Sequence, residues 1–403
     1  PYSFQELFKI KQSSLVLNGI RPQYTDQPAV IPLGLTWEKS TTLNLGLDFA
    51  FLSNRLQFSG DIYQRKTTDM FTVGMSLPAV FGTDVPKGNY ADLTTKGFEL
   101  SVSWRDQFQL ASKPFNYEVR FTLADYQSTI DKYNNPEKKL GDDYYYEGMK
   151  VGEIWGYETE GFFTSQADID SHAKQPYFYA GATAGQWLPG DIKFKDLNGD
   201  GVIDYGNNTV DNPGDQKIIG NSEPRFIYGI NLSGDWNNFF VSAFFQGVGK
   251  QDWWPGSEAS YFWGMYNRPY NDMPKSHLGN IWTEENPNTY FPRLRGYSSE
   301  EPYAELNLKQ TRYLQNIAYI RMKNIQLGYT LPKSFISKLR MQNAKVYVSG
   351  ENLWSWSPFY KYSKDLDVEA VRGSDRDLTE GTSGNGYSYP ILKSVSFGLS
   401  VTF

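Results

Sequence analysis

Cysteine is absent from this chain of 403 residues, and disulfides, zinc–thiolate sites and thiol nucleophiles are excluded with it. An exported bacterial protein easily lacks cysteine, so export stays open. Histidine is nearly missing too: His172 and His277 are the only two, far apart and in neither a metal-ligand nor a triad-like spacing. The many carboxylates show no identifiable acid/base pairing. Ser383 to Gly386 ("SGNG"), like other glycine-bearing runs, does not follow a strand into a helix, so no phosphate loop is indicated. An enzyme is therefore not expected. A formal net charge of -6 argues against nucleic acid as a partner. No run approaches the roughly 18 consecutive apolar residues of a membrane helix, which excludes a helical membrane protein. A membrane β-barrel stays open, because its lipid-facing residues alternate with polar ones and average out. The chain starts at Pro1, without an initiator Met or a signal peptide, so it is expected to be part of a longer protein.

What is plentiful is aromatic: 16% of the chain, with 29 Tyr, 26 Phe and 11 Trp. Aromatic girdles, a ligand-stacking surface, or both would use them. The last ten residues, "SVSFGLSVTF", alternate strictly: Val395, Phe397, Leu399, Val401 and Phe403 fall on one face of a strand and Ser394, Ser396, Gly398, Ser400 and Thr402 on the other. The same period predicts strands over 41–52, 55–66, 97–105, 115–125, 225–236, 239–249, 312–331, 344–354 and from about Tyr389, with a weaker one near 15–18. Ser53-Asn54 and Asn237-Asn238 read as tight turns. Between the strands, short links (near 53, 106–114, 237 and 332–343) alternate with long loops at about 67–96, 126–224, 250–311 and 355–388. Short turns at one end and long loops at the other are the habit of an outer-membrane barrel; the competing reading is a soluble all-β domain. On the barrel reading the apolar faces touch lipid, and Asn44, Asp48, Gln57, Asp61, Arg65, Glu99 and Arg105 line a wet interior.

Several stretches are similar to one family. "GDIKFKDLNGDGVID", "KIIGNSEPRFIYGINLSGDW" and "FFVSAFFQG", with "GEIWGYETEGFF" (152–163), "WTEENPNTYFPRL" (282–294), "YIRMKNIQLGYTLP" (319–332) and "NLWSW" (352–356), resemble in sequence order the C-terminal barrel half of SusC-like (SusC/RagA-type) TonB-dependent outer-membrane transporters of Bacteroidetes. The similarity runs from about Trp37 to Phe403. It implies an all-β fold, a transmembrane antiparallel β-barrel of about twenty-two strands, of which this chain, 1–403, supplies the C-terminal part. It also implies a plug domain and TonB box outside this chain, energy from TonB, a SusD-like surface lipoprotein as partner, and import of oligosaccharides or oligopeptides. Phe403 is then expected to act as an assembly signal.

Two constellations remain. Asp196, Asn198, Asp200, the Val202 carbonyl and Asp204 match the start of an EF-hand-type calcium loop, with Asn207 where a bidentate Glu is usual and Asp211 as a substitute; an Asx-rich turn without metal competes. Structural calcium is the expectation. Trp253, Trp254, Tyr261, Phe262, Trp263 and Tyr266 crowd one loop, where internal packing, contact with the lipoprotein and contact with a glycan are three readings. The acid-rich runs Asp365-Leu366-Asp367 and Asp375-Arg376-Asp377 read as solvated loop faces.

Overall fold

The computed structural model describes residues 8–26, 30–32, 34–74, 80, 85–141, 144–178, 186–257, 259–268, 270, 272–371 and 389–403. Its frame is one antiparallel sheet of nine strands in sequential order. We number them β1 (Lys39–Phe51), β2 (Leu56–Val73), β3 (Lys87–Leu110), β4 (Lys113–Lys132), β5 (Arg225–Trp236), β6 (Phe239–Lys250), β7 (Tyr319–Thr330), β8 (Asn343–Trp356) and β9 (Ser394–Thr402). Each pairs with its neighbours in sequence, so the sheet is a meander whose edges are β1 and β9. Among the described residues no helix is long and apolar enough to cross a membrane. Crossing is left to the strands.

The turns at one end are short for a conformational reason. β3 and β4 are joined by Ala111 and Ser112 (φ +48° and +64°), and β5 and β6 by Asn237 and Asn238 (φ +48° and +72°). Two consecutive positive-φ residues make the turn whose twist matches that of paired strands, and asparagine tolerates it at little cost. Leu52, Ser53 and Asn54 do the same between β1 and β2.

Pairing register turns the alternation into two surfaces. Phe49, Phe58, Val102, Phe121, Ile230, Phe245, Met322 and Trp354 lie directly opposite one another across β1 to β8. Nearer the turns runs a second row, Tyr117, Gly234, Val241, Leu327, Val348 and Phe397. This face is apolar yet open: Leu43 is 76% exposed and Phe397 86%. From Trp236 to Tyr228 its apolar positions span about 27 Å along β5 at ~3.4 Å per residue, enough for the ~25 Å lipid band of a tilted barrel strand. At the turn end aromatic rings collect, with Phe108 and Phe115 at 5.0 Å and Phe239 and Tyr329 at 4.7 Å between centroids. They form a girdle at the membrane boundary.

The opposite face is mainly polar across the same strands, with Phe240 and Phe244 of β6 its large apolar members in that strand. Arg105, Glu118, Ser233, Ser242, Gln326, Ser349 and Ser396 make one of its rows.

Several strands run further than the alternation suggests. β2 continues to Val73, β3 extends at both ends to Lys87 and Leu110, and β4 continues to Lys132. The link expected over 106–114 shrinks to the two-residue turn at Ala111-Ser112 because Phe108 pairs with Phe115 and Leu110 with Lys113. The weak strand near 15–18 is instead a turn region between two three-residue strands, Ile10–Gln12 and Gln23–Thr25.

The buried core lies in the loops. Tyr157, Phe163, Phe178, Ile192, Phe194, Phe262, Trp263, Tyr266, Phe291, Leu306, Tyr313, Phe359 and Val371 form one cluster with Val248 and Tyr319 of the sheet. Short strand pairs brace it, Glu153–Tyr157 against Gln216–Asn221 and Thr159–Phe162 against Ile192–Phe194. Because Ile227, Val248 and Tyr319 sit in the row that also holds Asp61 and Glu99, this cap rests on the polar-face side of the sheet, at the end away from the short turns.

Candidate functional site

The inner face is the first candidate surface, and pleating puts all seven expected interior residues on it. Asn44 donates to Asp61 at 2.9 Å, Arg105 pairs with Glu118 at 2.9 Å, and Asn116 donates to Asp235 at 2.8 Å. Such cross-strand ties hold polar side chains in fixed places along a wet wall. A concavity of about 380 Å³ opens there, with Asp61, Glu99, Ser101, Thr122 and Gln246 among its lining.

The cap above it is tied by ion pairs that the sequence did not disclose. Arg295 forks onto Asp191 at 2.8 and 2.6 Å, and Glu305 accepts from the Ile192 amide at 2.7 Å, so the long segment after β4 is clasped to the one after β6. Asp191 and Glu305 are both fully buried, and burial pushes both carboxyls up. Arg295 stabilises the charge on Asp191, whereas one oxygen of Glu305 has no partner, so Glu305 is the member that keeps a proton. Arg321 of β7 meets Asp367 at 2.5 Å, and Lys323 meets Glu369, which ties the loop after β8 to the sheet. This corrects the reading of 365–367 as a solvated face: Leu366 is buried and Asp367 is spent on Arg321. Asp375, Arg376, Asp377 and the run 383–386 lie outside the described residues.

The aromatic cluster also needs correcting as a contact surface. Trp253, Phe262, Trp263 and Tyr266 are buried in the cap's own core, because their rings pack on one another and on Phe291, Tyr313 and Phe359. Trp263 donates to the Pro255 carbonyl at 3.1 Å and Tyr266 to that of Pro292 at 2.5 Å, so even their polar atoms are used internally. Tyr261 is 56% exposed and Trp254 half-buried. Both histidines are structural. His172 meets the Phe194 carbonyl at 2.8 Å, and His277, fully buried against Phe291, meets that of Phe262 at 2.9 Å. Burial holds the His277 imidazole below its ordinary pKa.

In the acidic loop the oxygens serve the backbone. Asp196 accepts from the Gly199 and Gly201 amides, Asn198 from Asp200, Asp200 from Val202 and Asp204 from Gly206, at 2.6 to 2.9 Å. The anchor is a residue the pattern missed: buried Asp215 accepts from Leu197 at 2.7 Å and from Asp204 at 2.9 Å. Among the described residues no group of three or more carboxylates or histidines gathers to hold a metal. As they stand, these oxygens fit an Asx-rich turn. Phe403 lies just past β9, 78% exposed on the apolar side of the alternation.

Comparison with known proteins agrees with this architecture. Residues 13–198 match a family model described as TonB dependent receptor-like, beta-barrel. The chain is 28% identical over 387 residues to TonB-dependent receptor P3 of Formosa agariphila, covering 92% of this chain and 34% of that one. To TonB-dependent receptor SusC of Bacteroides thetaiotaomicron it is 23% identical over 396 residues, covering 94% and 33%. It thus spans about a third of the length of these relatives. Among solved structures, the RagAB peptide transporter has a chain that superposes with a TM-score of 0.70 at 19% identity, covering all of this chain and 39% of its own length.

Proposed function

We propose that this chain is part of the barrel of a SusC-like TonB-dependent receptor, an outer-membrane protein of Gram-negative bacteria that transports and does not catalyse, and that its parent protein imports oligosaccharides or oligopeptides. In this reading TonB supplies the energy through a plug outside this chain, and a SusD-like surface lipoprotein delivers the substrate. The observation that carries it is the pair of opposite faces over nine strands, apolar and exposed on one side and hydrogen-bonded polar on the other, under a folded cap. An apolar outside suits lipid, and a polar inside suits a hydrated solute. The test is deletion of the gene in its native bacterium, followed by uptake of labelled oligosaccharide and oligopeptide pools. Loss of uptake that complementation restores, and that a disabled TonB reproduces, is expected. Unchanged uptake, or restoration without TonB, overturns it.

Two finer proposals go with it. Phe403 presents β9 to the assembly machinery, so its deletion lowers the amount of heat-modifiable, membrane-inserted protein; an undiminished amount overturns this. Calcium at Asp196, Asn198, Asp200, Val202 and Asp204 would tighten a turn that the backbone amides already shape. Protease protection of the cap is then greater in calcium than in chelator, and equal protection overturns it.

A further inference from the structure

A second cavity, of about 320 Å³, lies within the cap, between residues 140–157 and 205–216 of the segment after β4 and 303–309 of the segment after β6. That volume sits at the small end of the roughly 300–1,000 Å³ typical of ligand pockets. Its wall is aromatic, with Tyr144, Trp155, Tyr205 and Tyr303 the rings the ligand would meet. Tyr205 and Tyr303 stand 6.2 Å apart at 34°. Unlike the rings of the cap core, Tyr144, Tyr205 and Tyr303 are 39%, 38% and 55% exposed. Single exposed rings such as Tyr261 need no explanation, but several open ring faces around one cavity make a shared surface for a ligand.

The polar groups at the cavity narrow the choice of ligand. Trp155 is braced by its indole N–H, which donates to the Tyr146 hydroxyl at 3.3 Å, while that hydroxyl is bound to Glu153. The other oxygen of Glu153 accepts from the Lys150 amide at 3.1 Å, so the carboxylate is already occupied. Gln216 and Asn307 donate their amide protons to the Asn208 side chain and the Glu300 carbonyl, both at 3.2 Å, which leaves their side-chain carbonyls as acceptors. The backbone is spent. Residues 153–157 pair with 216–221 on one side, and on the other Tyr157 donates to the Lys309 carbonyl at 2.8 Å and accepts from the Thr311 amide at 3.0 Å. A peptide therefore finds no strand edge to extend. Ring faces flanked by amide-carbonyl acceptors and hydroxyls, with Lys309 also in the lining, suit a ligand with an apolar ring face and hydroxyls around its rim.

We propose that this cavity is a subsite for one ring of a neutral oligosaccharide. The inference deepens the import reading and rests on it for the ligand's fate, though the binding itself does not need transport. The experiment is calorimetric titration of the full-length receptor in detergent with neutral hexasaccharides (α-1,4-, β-1,4- and β-1,3-glucan and β-1,4-mannan) and, separately, with a mixed hexapeptide pool. One hexasaccharide series should bind, and Trp155→Ala should weaken it at least tenfold. Tyr303→Ala, at the exposed rim where folding is little affected, should weaken it several-fold in protein that still inserts and shifts on heating. No hexasaccharide binding, binding indifferent to Tyr303→Ala, or peptide binding that Tyr303→Ala abolishes each overturns the proposal. Sugar binding lost in both variants of a receptor that imports nothing would support the subsite while overturning the import reading.

Discussion

The sheet and the cap draw on the same aromatic-rich composition and bury it in opposite senses. In the sheet, Leu43, Leu327 and Phe397 are more than half exposed, and its polar residues gather on the inner face. In the cap, Phe262, Trp263, Tyr266, Phe291 and Tyr313 are almost wholly buried. The difference is the solvent: hydrocarbon accepts the sheet's side chains as they stand, whereas water forces the cap to build its own core. An exposed Leu in the wall is therefore in its solvent, whereas an exposed ring in the cap faces water.

The sharpest way to test this contrast is to remove one ring from each region. Trp263→Ala takes a fully buried indole and its hydrogen bonds to the Pro255 and Gly256 carbonyls out of the cap. It should cost about 3–5 kcal/mol of cap stability, seen as rapid protease cleavage between 251 and 314, with barrel insertion unchanged. Phe397→Ala removes a ring that lies outside any core and should leave the cap's digestion pattern as it was. If Trp263→Ala blocked insertion, or Phe397→Ala opened the cap, the two regions would not be independent.

Charge separates the faces of the wall itself. Ile325→Arg, level with Leu232 at the middle of the band, puts a guanidinium on the apolar side and should cost about 2–4 kcal/mol. Gln326→Arg, one residue away, points into the polar row between Ser242 and Ser349 and should be near neutral. Equal insertion yields for the two would mean that the assignment of faces is wrong.

Backbone strain gives a smaller effect. Asn237→Val and Asn238→Val place a β-branched residue where φ is +48° and +72°, which should cost about 1–2 kcal/mol each. Slower assembly with an unaltered cap is the expected result, measured by the rate at which the heat-modifiable form appears. Glycine at both positions should restore it. Failure of that rescue would mean that the side chains, not the turn, matter.

Legibility in the sequence follows the same division. Arg225–Trp236 has the bounds that alternation predicts, because each inward residue except Ile227, which meets the cap, is polar or small, each outward one is apolar or Gly, and Asn237-Asn238 closes the hairpin. The alternation gives out at Lys87–Lys96 and Gln127–Lys132, where the strands climb past the lipid band and Leu93 and Ile130 pack against Leu140, Tyr146 and Met149 of the loop. The cap has no period to read. Phe163, Ile192, Phe291 and Val371 meet from distant places in the chain, and nothing beside Asp191 announces Arg295 or Glu305. For the aromatic loop, residue type left three readings open, and only packing assigned Trp263 and Tyr266 to the core.

The last and smallest effect concerns acid inside the cap. Glu305 is fully buried with one backbone amide for a partner, and burial lifts its carboxyl well above the usual range. Above pH ~4.5 the unfolded chain releases this proton while the folded cap keeps it, so the folded state binds more protons and stability falls as pH rises. His277 acts in the opposite sense. Its imidazole is held low by burial, so below pH ~6.5 the unfolded chain takes up a proton that the cap refuses, and stability falls as pH drops. The cap should therefore be most resistant to protease at intermediate pH. Glu305→Gln keeps the bond from the Ile192 amide and cannot release a proton, so it should lose the decline above pH ~4.5 and keep the one below pH ~6.5. At pH 5 its amide places protons where the carboxyl oxygen has no partner, so the variant should there be level with the parent or slightly worse. By pH 8 it should lead, seen as a higher melting temperature of the cap. Parallel pH profiles for parent and variant would mean that Glu305 is ionised in the folded cap, with Arg295 shared between it and Asp191.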